Sequence, residues 1–195
     1  MSDLASLLAR IGKCRHCADL AESPLPHEPR PVVRAQPSAE LLIIGQAPGT
    51  RVHETGIPWN DPSGDRLRQW LSIDKERFYD SGQMAIMPMG FCFPGQDDRG
   101  ADLPPRKECA PLWHDQILAA LPNIRTILLI GQYAQARYLG KARKRNMTET
   151  VAAWRDYAPK FWPTPHPSWR NNAWLKKHPW FEADLLPALR HHIGG

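Results

Sequence analysis

No stretch of this 195-residue chain is apolar for long enough to cross a bilayer. The longest uninterrupted runs, such as Ile127 to Ile130, fall far short of the ~20 residues a spanning helix needs. Internal repeats and low-complexity segments are also missing, which argues against a solenoid or a disordered tail. The N-terminal "MSDLASLLARIGKC" mixes Asp3, Arg10 and Lys13 into a helical pattern and offers no signal-peptide cleavage region. A cytoplasmic protein in a reducing compartment, without a membrane partner, is the expectation. Cysteine is scarce too, with only four residues, and in such a compartment disulfides are disfavoured.

Proline, by contrast, is abundant: twenty residues punctuate the chain and predict short elements with well-specified loops. The length suits one domain over 1–195, large enough to bury most of its apolar surface. "AELLIIG" (39–45), "MAIMPMG" (84–90) and "RTILLIG" (125–131) read as buried strands ending at turns, and "WPTPHPS" (162–168) as a last short strand plus turn. Helical patterns cover 63–73, with Ser63 as N-cap, then 132–140, 148–158 and 179–193. Strands alternating with helices predict an α/β fold with a mostly parallel sheet. The loops after the strands, 45–64, 88–109, 131–133 and 165–177, then gather on one edge, where such folds build their sites.

Charge is unevenly placed. From Arg137 to Lys177 ten Lys/Arg stand against Glu149 and Asp156, a balance of +8, leaving −3 for the rest of a chain of net charge +5. One basic face suits a polyanion such as nucleic acid; a solvated basic surface is the plainer alternative.

The cysteines fall into two groups, Cys14-Arg15-His16-Cys17 and the looped pair Cys92 and Cys109. A CxxC brings two thiolates together on one turn, and a distant pair can complete a four-sulfur cage. No strand precedes this CxxC, which disfavours a thioredoxin-type redox motif. From spacing alone, an iron–sulfur cluster and structural zinc stay level as occupants.

Two loops carry the chemistry-bearing side chains: "GQAPG" (45–49) with its continuation through Glu54, Trp59, Asn60 and Asp61, and "PHPSWRNN" (165–172), where two prolines restrict the backbone around His166. Taken together they resemble the uracil-DNA glycosylase superfamily. "LLIIGQAPG" looks like its first motif and "HPS" (166–168) like its second. "GIPWNDPSG" (56–64) resembles the Gly-x-Pro-Phe-Val-Gly-x-x-Gly run of the iron–sulfur (family four) branch, and the cysteine placement is similar to that branch. The likeness runs from Cys14 to about Ile193.

The resemblance implies a three-layer α/β/α sandwich around a short, mostly parallel four-stranded sheet. It tips the cysteines from zinc towards a 4Fe-4S cluster held by Cys14, Cys17, Cys92 and Cys109. The implied activity is that of a monofunctional glycosylase, expected as a monomer, removing uracil from DNA after base flipping. Two departures stand out. Gln46 replaces the Glu of Gly-Glu-Ala-Pro-Gly, so no carboxylate is present there. Pro88 replaces the Asn that reads the uracil edge.

The implied roles are as follows. Trp59 stands where a stacking Phe is expected, and Gln46, Ala47, Asn60 and His166 contact the base. His166 donates to the pyrimidine O2. "NDPSG" (60–64) resembles the Gly-Asp-Ala-Ser-Gly run of the family-five branch, which makes Asp61 the first candidate for general base or cation stabiliser, with Glu54 second. Ser168, Trp169 and Arg170 form the loop that enters the duplex, with Lys176 and Lys177 on flanking phosphates. Two alternatives remain: a glycosylase for another deaminated base, or a non-catalytic iron–sulfur nucleic-acid-binding module on the same fold.

Overall fold

The structure is a computed structural model that describes residues 3–20, 22 and 24–194. Helix α1 (Leu4–Gly12) leads to strand β1 (Leu41–Ile44), helices α2 (Thr50–Thr55), α3 (Pro62–Leu71) and α4 (Lys75–Tyr79), and strand β2 (Met84–Ile86). Helix α5 (Cys109–Ala119), strand β3 (Thr126–Ile130) and helices α6 (Gly131–Leu139) and α7 (Met147–Ala152) follow. Strand β4 (Phe161–Thr164), helix α8 (Asn172–Lys177) and helix α9 (Leu186–Gly194) complete the order. Met1 and Ser2, the head of the N-terminal helical pattern, lie outside the described residues.

The four strands are all parallel in the order β2-β1-β3-β4. Because alternate side chains leave a strand on opposite faces, each run feeds two cores at once. Leu42, Ile44, Ala85, Ile127 and Leu129 pack against α1, α5 and α6 through Leu7, Ile11, Ile117 and Ala134. Leu41, Ile43, Ile86, Leu128 and Ile130 face the other way, onto Leu67 and Trp70 of α3, Phe78 of α4, Val151 of α7 and Leu189 of α9. Burial on both faces explains why the strands read as continuous apolar runs rather than alternating ones. The result is the expected three-layer α/β/α arrangement.

Several boundaries shift for local reasons. β2 ends at Ile86, two residues before Pro88, which cannot donate to a ladder. The 45–64 segment is not all loop, since α2 occupies its middle. The cap of α3 is Asp61 rather than Ser63: its Oδ1 accepts from the Gly64 N–H at 2.8 Å, and Pro62 takes the first helical position. The predicted 148–158 helix stops at Ala152 and becomes a 3₁₀ turn at Trp154–Asp156. In the last helical stretch a π turn at Phe181–Leu185 precedes Pro187, whose missing N–H disrupts the ordinary ladder.

Because β1 is flanked by β2 on one side and β3 on the other, the chain reverses its direction of winding there. The strand C-termini at that switch point open into a crevice, the usual location of a ligand site in such sheets.

Candidate active site

A cleft of about 610 Å³ lies at this edge. Its walls come from three of the four predicted loops: 45–63 after β1, 86–103 after β2, and 166–171 after β4. The 131–133 turn does not line it.

The first wall is the Gly45–Gly49 turn. It is laced to the segment after β2 by Met89 N–H to the Gly45 carbonyl (2.9 Å) and Gly90 N–H to the Gln46 carbonyl (3.0 Å). Gln46 and Ala47 are partly exposed and line the cleft, as expected. Trp59 lies directly against Gly45: a Cβ added there would come within 2.7 Å of Trp59 Cζ2. Trp59 itself adopts φ 56, a left-handed conformation that a non-glycine residue holds only when its surroundings enforce it. The enforcement is visible. The buried Arg68 guanidinium donates to the Trp59 carbonyl at 3.3 Å, is itself held by Asp65 at 2.6 Å, and stacks over Phe78. The Tyr79 hydroxyl donates to the Pro58 carbonyl at 3.0 Å. Gly64 completes the clamp, since a Cβ there would stand 1.8 Å from the Trp59 carbonyl oxygen.

Opposite stands His166, between Pro165 and Pro167. Its carbonyl accepts from Asn171 Nδ2 at 2.7 Å, which fixes the loop. The Trp59 and His166 rings are tilted neighbours with centroids 5.5 Å apart. A base sandwiched between two rings needs about 7 Å, so the two form adjoining walls rather than a slot. Burial pushes the His166 pKa below its ordinary value, against the pull of the Asp61 and Asp102 carboxylates, while Arg170 adds to the lowering. The ring is therefore neutral near pH 7 and keeps one N–H to donate.

Asp61 is half-buried at the cleft and caps α3 with one carboxylate oxygen. Ser168 caps the turn Trp169–Asn171 by accepting from the Arg170 N–H at 3.2 Å. Trp169 is 72% exposed at the rim, and the Arg170 guanidinium stands over it. Four sequence candidates fall elsewhere. Glu54 is exposed on α2 and does not line the cleft, because the helix turns it away from the crevice. Asn60 stays outside the lining, because the backbone turn that aims Trp59 inward points its neighbour away. Lys176 and Lys177 are exposed in the last turn of α8, beyond the rim.

Three side chains that the sequence did not single out join the site. Arg66 of α3 donates to the Ser168 carbonyl (3.2 Å) and to Asn172 Oδ1 (2.8 Å), tying α3 to the His166 loop. Asp102 and Gln96, from the polar loop after Cys92, line the facing wall. That loop looks like ordinary surface turn in sequence, and nothing local marks it.

The basic stretch is less available than its count suggests. Arg137, Lys144, Arg145 and Arg155 pair with Asp115, Asp156, Glu149 and Asp184 at 2.6–3.4 Å.

All four cysteines line one small, enclosed and largely apolar cavity beside the cleft, together with Leu25, Phe91 and Trp113. None is in a disulfide. Cys109 opens α5 and its Sγ accepts from the Phe91 N–H at 3.3 Å. Burial pushes the Cys92 and Cys109 thiols up to about 12. Thiolates here would need a strong positive partner to offset that desolvation. Among the described residues no three His, Cys, Asp or Glu side chains are drawn together tightly enough for a single metal ion. Nor is any described helix long and apolar enough to cross a membrane.

The sequence pattern of the uracil DNA glycosylase superfamily matches residues 33–190, which takes in every strand, every cleft loop and the start of α9, with Cys14 and Cys17 ahead of it. A match of that extent leaves none of the cleft loops outside it, and the chain belongs to the uracil DNA glycosylase superfamily, with a DNA glycosylase-type function.

Proposed function

We propose that this protein is a monofunctional glycosylase that hydrolyses the N-glycosidic bond of uracil in DNA and leaves an abasic site. The observation that carries the reading is the convergence of Trp59, neutral His166 and Asp61 on one cleft at the switch point. A flipped base meets the Trp59 face, where stacking contributes about 1–3 kcal/mol towards the few kcal/mol that flipping costs. As the bond between N1 and the sugar C1′ breaks, its electron pair goes to the base and negative charge grows on O2. The His166 N–H donates to that oxygen, an interaction worth roughly 3–4 kcal/mol in comparable oxyanion sites. Water bonds to C1′ and gives its proton to Asp61, whose second carboxylate oxygen is not used by the cap.

Gln46 orients that water by hydrogen bonding but carries no charge. Pro88 lines the cleft without a side-chain donor or acceptor. Base reading therefore falls to Gln46 and the backbone of the first turn. Trp169, protruding at the rim, enters the duplex where the base left, and Ser168 and Arg170 contact phosphate.

The cysteine cavity fits a 4Fe-4S cluster in its donor set and its apolar lining, with Cys14, Cys17, Cys92 and Cys109 as ligands and zinc as the weaker alternative. Such a cluster would supply the positive charge that thiolates need in this apolar setting, with Cys92 and Cys109 holding it from the two ends of the 93–108 loop.

Incubation with uracil-containing oligonucleotides (U·G, U·A and single-stranded) followed by alkali tests the reading. Strand scission that His166→Ala lowers by about 10²–10³-fold is expected. No scission at stoichiometric protein overturns it. In that case the missing carboxylate at Gln46 favours the second reading, a nucleic-acid-binding module, which DNA binding without cleavage identifies. Scission only with another deaminated base reassigns the substrate.

A further inference from the structure

Removing a base leaves a sugar that resembles an oxocarbenium cation, and the first motif offers it no anion because position 46 is Gln. Asp61 has one oxygen committed to the Gly64 N–H and the other assigned to water. The charge for the sugar has to come from somewhere else in the cleft. The wall facing the first motif supplies one.

Asp102 sits at the end of the loop that follows Cys92, and it reaches across to the Gly45–Gly49 turn. A Cβ added to Gly49 would lie 3.2 Å from Asp102 Oδ2, so this carboxylate oxygen rests directly on the turn that carries Gln46. Its other oxygen, Oδ1, accepts from Gln96 Nε2 at 3.1 Å. An isolated antiparallel bridge between Gln96 and Asp102 fixes the backbone beneath both residues. Asp97 then folds the tip, its Oδ1 accepting from the Arg99 and Ala101 N–H groups at 2.9 and 2.8 Å. Oδ2 of Asp102 has no hydrogen-bond partner among the described residues. The carboxylate is thus oriented by one oxygen and open by the other.

We infer that Asp102 is a second catalytic carboxylate of this cleft, placed from a different loop to face the cationic sugar in the position that the neutral Gln46 leaves without charge. Asp61 and Asp102, from separate loops, line the same cleft as His166, and both carboxylates act on its ring electrostatically. The two carboxylates divide the labour: Asp61 takes a proton from water, and Asp102 takes none and acts through its charge alone. This assignment rests on the glycosylase reading above.

The test compares two oligonucleotide duplexes, one with a neutral tetrahydrofuran abasic site and one with a cationic pyrrolidine nucleotide, against the full-length protein. The wild type is expected to bind the cationic duplex at least about tenfold more tightly than the neutral one. Asp102→Asn is expected to lose that preference, read as the ratio of its dissociation constants for the two duplexes. Asp102→Glu keeps most of it. Asp98→Asn, an exposed acid of the same loop outside the cleft, keeps all of it. The inference falls if Asp102→Asn retains the preference, if Asp98→Asn loses it equally, or if the wild type has none. Uracil scission by the same wild-type preparation separates the two levels. Scission with an unchanged Asp102→Asn preference sinks Asp102 alone. Absence of both scission and cationic preference sinks the glycosylase reading with it.

Discussion

Gly45→Ala is the most direct perturbation of the cleft, because its effect can be worked out from the contacts. The new methyl would lie 2.7 Å from Trp59 Cζ2 and 3.5–3.6 Å from the neighbouring ring carbons. Ordinary carbon contacts begin near 3.5–4.0 Å, so the ring must retreat by about 1 Å. Its backbone cannot give way. Arg68 holds the Trp59 carbonyl, and the chain at Gly64 passes too close for that carbonyl to move. The indole therefore swings about its own side-chain bonds, into the space it shares with His166. Overpacking of this kind costs roughly 1–3 kcal/mol of stability. A 1 Å misplacement of a substrate-positioning group costs about 10²-fold in rate. Single-turnover cleavage of a uracil oligonucleotide and a urea unfolding curve read the two effects separately. Trp59→Phe deletes Cζ2, so the double variant Gly45→Ala/Trp59→Phe should recover stability relative to the sum of the singles. Wild-type rate and stability in Gly45→Ala, or strictly additive effects in the double variant, would refute the packing argument.

Other outcomes follow from the same geometry. Asp61→Asn preserves an N-cap while removing the charge, so its unfolding midpoint should stay close to wild type as cleavage drops by at least about tenfold; equal losses in Asp61→Asn and Asp61→Ala would reduce the residue to a cap. His114 is fully buried, its Nε2–H donating to the Pro88 carbonyl at 3.1 Å and its Nδ1 accepting from the Tyr138 hydroxyl at 2.6 Å, and burial pushes its pKa down to about 4. With the folded value below the unfolded 6.5, its contribution is complete above about pH 6.5 and is lost as pH falls from there towards 4, by on the order of 3 kcal/mol; His114→Gln should flatten that part of the stability–pH curve. Freshly purified protein should be brown with broad visible absorption, and Cys92→Ser should bleach it; a colourless, zinc-loaded wild type would replace the cluster without touching the cleft.

The architecture was legible because both sheet faces are buried, which turns strands such as 41–44 and 126–130 into unbroken apolar runs. His166, Trp59, Gln46 and Asp61 were legible because turns rich in Gly and Pro advertise where a strand ends. What stayed hidden depends on long-range contacts. Glu54 looked like a mid-loop acid until α2, a helix with only Val52 buried, turned it outward. The charge count between Arg137 and Lys177 missed neutralisation by Asp115 and Asp184, which come from outside that stretch. Asp102 had no local signal, since its position follows from the pairing with Gln96 and the approach to Gly49. Asp61 read as a carboxylate ahead of a Ser63 cap, whereas the fold makes it the cap of α3, with Pro62 in the first helical position.

Helix α3 has a mechanical consequence. It carries Asp61 at its head, and one turn later Arg66 grips the Ser168 carbonyl and Asn172 on either side of Trp169. Asp61 and the protruding Trp169 are thus mounted on one stiff rod. With the roles proposed for the two residues, a load applied to Trp169 by a docking duplex would reach Asp61 as a rigid-body displacement, so that engaging the strand and aligning the water would be one motion.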